Sequence, residues 1–138
     1  LGVALILGLS GALLRATRIQ LPYGGDHGAF DGIDEVASFV RATAPDGAVL
    51  YHQWMGYHYR FYLRSADLRF NWYPDLSDLA RDAYIYRREP RYIAFPSWRD
   101  GIAVKAALAD EGITLKVVFE TKRRDGTSSF RLYRLEGP

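Results

Sequence analysis

The sequence has no cysteine, so disulfides and thiolate metal sites are excluded. Lysine is scarce: Lys105, Lys116 and Lys122 are the only three among 18 basic residues, and 16 acids offset those 18. A net charge of +2, with arginines interleaved among carboxylates, does not build a phosphate-tracking stripe, so a nucleic-acid partner is not expected. Glycine-rich phosphate cradles are missing as well. The turn after the first apolar run reads His52-Gln53-Trp54-Met55-Gly56-Tyr57, one glycine among bulky side chains, where a dinucleotide site needs G-x-G-x-x-G. There is no Walker-type loop, and Ser97 lacks the G-x-S-x-G frame of a nucleophile elbow. His52 and His58 are six residues apart, not on one helical face, and no further ligand joins them; Asp26-His27 is likewise a pair without a third. No cofactor, no metal and no catalytic residue is expected from these patterns.

No hydrophobic run reaches full bilayer length. The stretch LGVALILGLSGALL, residues 1–14, is uncharged and almost wholly apolar. As a helix it spans about 21 Å, short of the roughly 30 Å hydrocarbon core. A signal-peptide core, a buried helix and the end of a truncated transmembrane helix all compete for it. The basic residues Arg15 and Arg18 follow the run instead of preceding it, and no polar face is present, so the transmembrane reading is favoured. Taken alone, those two arginines hint at a cytoplasmic exit. Residues 15–32 read as a juxtamembrane linker, with four glycines and a proline between Leu21 and Gly32.

What is present from residue 33 to 138 is a globular pattern of one-domain length. Asp31 is placed to cap a helix whose apolar stripe is Ile33, Val36, Ala37 and Val40. The run from Ala48 to His52 is a strand covered on both faces. Residues 55–64 form a helix with Tyr57 and Phe61 four apart. Residues 67–72 make a second strand, and Pro74-Asp75 opens a helix that buries Leu76, Leu79, Ala80 and Ala83 and runs to about Arg88. The third strand is 91–95, Asp100 can cap a helix over 101–111, and the fourth strand is 114–121, with Leu115, Val117 and Phe119 alternating. Asp125-Gly126 turns the chain into a last antiparallel strand from Ser128.

Strands alternating with helices predict parallel neighbours joined by right-handed crossovers. The expected architecture is therefore α/β: a small three-layer, Rossmann-like domain. Its sheet would be mainly parallel with a C-terminal antiparallel hairpin at one edge, preceded by the end of a transmembrane helix. Ligands bind beyond the carboxyl ends of such strands. There the sequence puts its three tryptophans, Trp54, Trp72 and Trp98, accompanied by His52, Gln53, Asn71, Tyr73, Ser97 and Arg99, with Tyr57 and His58 on the adjoining helix. Aromatic faces with amide, imidazole and guanidinium groups suit a sugar or a lipid headgroup. The plain alternative is that the aromatics plug the top of a small core.

The order of an apolar helix end, then Tyr23-Gly24-Gly25-Asp26-His27-Gly28-Ala29-Phe30-Asp31-Gly32-Ile33-Asp34-Glu35-Val36-Ala37, then Val49-Leu50-Tyr51-His52-Gln53-Trp54-Met55-Gly56-Tyr57-His58-Tyr59-Arg60-Phe61-Tyr62-Leu63, then Arg124-Asp125-Gly126-Thr127-Ser128-Ser129-Phe130-Arg131-Leu132-Tyr133-Arg134 resembles one known group. It is similar to the soluble C-terminal domain of bacterial membrane glycosyltransferases of family 39, relatives of the protein O-mannosyltransferases and of the lipid A aminoarabinose transferase. The resemblance implies an integral membrane enzyme of GT-C fold that takes a sugar from a polyprenyl-phosphate donor on the extracytoplasmic side. Its catalytic acid lies in an early loop outside this segment, so no catalytic residue carries over. The domain would pack on the membrane part of the same chain and assist a lipid-linked sugar or a glycan acceptor. The competing expectation is a non-catalytic module that caps the membrane part.

Overall fold

An unbroken apolar strand is satisfied only where both sheet faces are covered. Ala48–His52 (β1) lies there, with all five residues buried. It pairs in parallel with Leu68–Trp72 (β2) on one side and with Arg91–Pro96 (β3) on the other. Ser128–Glu136 (β5) runs antiparallel to β3, and Thr114–Lys122 (β4) runs antiparallel to β5. The strand order is β2-β1-β3-β5-β4. The structure, a computed structural model, describes residues 28–137. Asp31 to the C-terminus is one compact unit, and Gly28 to Phe30 belong to the unit before it.

This arrangement corrects the mainly parallel sheet expected from the sequence. The sheet is mixed, and its antiparallel ladders are the longer ones. The hairpin does lie at one edge, as expected, but β4 is not a parallel neighbour of β3; β5 inserts between β3 and β4. Burial accounts for the choice. In β5, Phe130, Leu132, Tyr133 and Leu135 are buried, whereas β4 exposes Lys116, Val117, Glu120 and Lys122. An inner strand has both backbone edges paired and both faces covered, so the more apolar strand goes inside and the lysine-bearing one guards the edge. The expected alternation in β4 also breaks. A bulge between Val117 and Phe119 puts Leu115 against one face of the sheet and Phe119 against the other, where it stacks on Phe39 at 4.4 Å. The transmembrane end expected over 1–14, and Asp26 with His27, lie outside the described residues. Among the described residues no helix is long and apolar enough to cross a membrane.

Among the described residues four helices cover the sheet: Ile33–Thr43 (α1), Gly56–Tyr62 (α2), Leu76–Ile85 (α3) and Ile102–Asp110 (α4). Alternate strand residues point to opposite faces. Val49, Tyr51, Ile93, Phe95, Tyr133 and Leu135 share a core with Leu79 and Ala83 of α3 and Val104 and Leu108 of α4. On the other face Tyr59 of α2 stacks on Phe70 at 6.5 Å and meets the His52 ring edge-on at 6.1 Å, beside the buried Ile33, Val36, Ala37 and Val40 of α1. Each fully buried aliphatic side chain contributes about 1.5–3 kcal/mol.

Two helix starts show what holds the frame. Asp75 caps α3 by accepting the Asp78 backbone N–H at 2.8 Å, and that bond holds its carboxyl below the usual range, with the Ser77 hydroxyl helping. Asp31 does not cap α1. The N-cap is Gly32, at φ 88°, and a Cβ there would lie 2.5 Å from the Thr121 hydroxyl. Close approach to β4 demands glycine, and Asp31 instead offers its carbonyl to the Ser129 hydroxyl.

Candidate functional site

In the parallel half, β1 hands the chain to α2 on one face and β3 hands it to α4 on the other. Between the carboxyl ends of β1 and β3 lies the switch point where α/β sheets usually hold ligands. His52, Gln53, Trp54, Trp98 and Arg99 do come together there, with Tyr73 and Met55, but the crevice has only about 10 Å³ of free volume. A single water needs about that much. Large side chains occupy the space that glycines would leave open. The Arg99 guanidinium donates to Gln53 Oε1 at 2.5 Å and lies 5.7 Å over the Trp54 ring. Gln53 Nε2 reaches the Pro74 carbonyl at 3.4 Å. His52 is buried beneath Gly56, whose Cβ, if added, would lie 2.6 Å from the imidazole. Burial, and secondarily the charge of Arg60, lowers the His52 pKa, so the ring is neutral near pH 7. Its Nδ1 is buried, with no hydrogen-bond partner among the described residues.

The open cavity lies one strand further out, beyond β2, with a volume of about 400 Å³. It is lined by Tyr51, by the β2 end and turn Phe70-Asn71-Trp72-Tyr73-Pro74, and by Asp78, Arg81 and Asp82 of α3. Trp72 is 62% exposed, so its ring is available. Asn71 Nδ2 donates to Asp82 Oδ2 at 2.7 Å, and Arg81 pairs with Asp78 one turn earlier. Tyr51 is fully buried, and the Asp82 carboxylate lies close enough to act on its hydroxyl. Burial drives its pKa far above the usual phenol value, and the nearby Asp82 carboxylate drives it further. The phenol therefore stays protonated, a donor held at the bottom of a cleft. Tyr73 joins the two regions; burial pushes its pKa up to about 12, with Arg99 pulling the other way.

Comparison with known protein families, with curated proteins and with solved structures finds no match. What the cleft can do must be read from its own chemistry.

The residues singled out from sequence thus divide. Asn71 and Trp72 line the open cleft, while His52, Gln53, Trp54, Trp98 and Arg99 close the crevice. Tyr57 stands outward on α2, 87% exposed, and His58 is half-buried on the same helix. Ser97 accepts from Arg123 Nη1 at 2.9 Å, at the base of the hairpin. The three tryptophans line two neighbouring regions instead of one continuous rim. Sequence reasoning missed Tyr51, Asp78, Arg81 and Asp82. The available signals were a tyrosine inside an otherwise aliphatic strand and two aspartates four apart beside the α3 stripe. Among the described residues, no group of three His, Asp or Glu side chains is placed to hold a metal ion. A second open notch, of about 390 Å³, lies at the start of β3. There Arg91 spends its guanidinium on the carbonyls of Ala83 and Gly137, a structural role.

Proposed function

We propose that this chain is the extracytoplasmic C-terminal domain of a membrane glycosyltransferase using polyprenyl-phosphate sugars. In this reading it does not catalyse alone and holds a sugar of the donor or acceptor in the cleft beyond β2. The sequence resemblance supplies the class. One observation carries the binding role: an open cleft of about 400 Å³ is lined by the 62%-exposed Trp72 together with Asn71, Asp78, Arg81 and Asp82. A pyranose has a C–H face and a rim of hydroxyls. Trp72 matches the first, while Asn71, Asp82 and Arg81 match the second with acceptors and donors.

The test uses the full chain carrying Trp54→Phe and Trp98→Phe, so that Trp72 alone reports. Methyl hexopyranosides titrated into it should shift Trp72 emission with a Kd on the order of millimolar, as expected of one stacked sugar. Asp82→Ala should abolish the shift. Emission unchanged to solubility, or changed equally in the Asp82 variant, rejects the binding role.

A second reading, a folded cap without ligand, is favoured by the closed state of the switch-point crevice. It expects Trp72→Ala to leave glycosyl transfer by the whole enzyme unchanged, whereas the sugar-holding reading expects a raised KM.

A further inference from the structure

Among the described residues, nothing covers the outer face of α2. Tyr57 is 87% exposed, Phe61 70% and Trp54 63%. Tyr57 and Phe61 are four apart on the helix and so project to one side, and the exposed Trp54 lies in the bend just before its first turn. Arg60 and Arg64, three residues after Tyr57 and Phe61, are exposed beside them. No aspartate or glutamate occurs between Asp46 and Asp67. Within the helix only Tyr59 is buried, while Tyr57 and Phe61 face outward.

The composition of this face selects its partner. A dry protein interface favours a packed apolar centre, and an acidic protein partner would favour arginines without three large rings. Tryptophan and tyrosine, with one apolar end and one polar, settle at the headgroup level of a bilayer. Arginines without neighbouring carboxylates attract anionic headgroups. The chain also carries the uncharged apolar run of residues 1–14, joined to the domain by a glycine-rich linker. We propose that the Trp54–Tyr57–Phe61 face, with Arg60 and Arg64, rests on the headgroup layer of a membrane containing anionic phospholipid. This contact does not depend on the sugar reading of the cleft, which uses Trp72.

The test places the full chain, with Trp72→Phe and Trp98→Phe so that Trp54 is the lone indole, in phosphatidylcholine vesicles with and without phosphatidylglycerol. Lipid brominated high in the acyl chain is the quencher. Trp54 should be blue-shifted and quenched in the phosphatidylglycerol vesicles, and high salt should reduce the quenching. An interfacial arginine is worth about fivefold in partitioning, so Arg60→Gln with Arg64→Gln should weaken the seated state about 25-fold. Tyr57→Ser with Phe61→Ser should remove it. Both double variants change exposed side chains only, and near-ultraviolet circular dichroism should match that of the parent. A Trp54 that stays unquenched overturns the proposal. So does quenching that neither double variant lowers, or a Trp54 shielded from both brominated lipid and aqueous iodide, which would assign the face to a protein.

Discussion

The crevice between β1 and β3 and the cleft beyond β2 open on the same sheet edge and share Tyr73, yet one is filled and the other open. In the crevice each large side chain has found another: Arg99 with Gln53 and Trp54, His52 with Gly56 and Tyr59. In the cleft about 400 Å³ stays open beside Asn71, Trp72 and Asp82. A switch point in the topology is therefore not enough to make a site. The residues that leave β1 decide whether the space is kept for a ligand or used for packing. Here His52, Gln53, Trp54 and Met55 use it.

The largest effect should come from the wall common to both. Tyr73 is 4% exposed and belongs to the core over α3 and α4. Tyr73→Ala should cost about 3–5 kcal/mol in urea unfolding of the full chain, because the cavity joins two places that cannot both collapse inward. A loss below about 1 kcal/mol would mean that the wall is not shared packing.

A smaller effect probes the filled side alone. Gly56→Ala puts a methyl group within 2.6 Å of His52. Overpacking of this kind costs about 1–3 kcal/mol, and sugar binding in the cleft should be unchanged because α2 lines none of it. Equal loss of sugar binding would show that the two corners move as one.

Much of the fold was legible. The α1 stripe of Ile33, Val36, Ala37 and Val40 is buried as its spacing predicts, and Asp75 caps α3 where Pro74-Asp75 announced a start. Local chemistry sufficed in both places. The place of β5 was not legible, because pairing is a competition between distant strands and a hairpin signal fixes only that β4 and β5 are neighbours. The Val117–Phe119 bulge was hidden for a related reason: it answers to the partner strand, not to the residues' own alternation. The same limit applies at the edge of the sheet. Sequence could bring Trp54, Trp72 and Trp98 to one end, but not assign them to two different spaces. Tyr51 and Asp82 meet only through packing of α3 over β1, so neither stood out.

Acid should separate the two corners as well. Burial first, and the Arg60 charge second, hold His52 below its ordinary 6.5 in the folded state. As pH falls the unfolded chain takes up this proton first. Stability from His52 is therefore intact above about 6.5 and is lost as pH falls from there through the folded value. One proton gives a slope of up to about 1.4 kcal/mol per pH unit. His52→Asn should be less stable at neutral pH and show a flatter loss between neutral and mildly acidic conditions. An unchanged slope in that variant would locate the acid sensitivity elsewhere.

The smallest effect lies at the mouth of the filled crevice. Arg99 and Trp54 are both exposed, and a cation–π contact at such a site is worth about 0.5–1 kcal/mol. Arg99→Ala also removes the bond to Gln53, which solvent can replace. The expected loss in unfolding free energy is about 1 kcal/mol or less, with the Trp72 sugar response intact. A gain of sugar binding at Trp54 in the Arg99 variant would reverse the contrast, since it would mean that the crevice is a site kept shut by a single side chain.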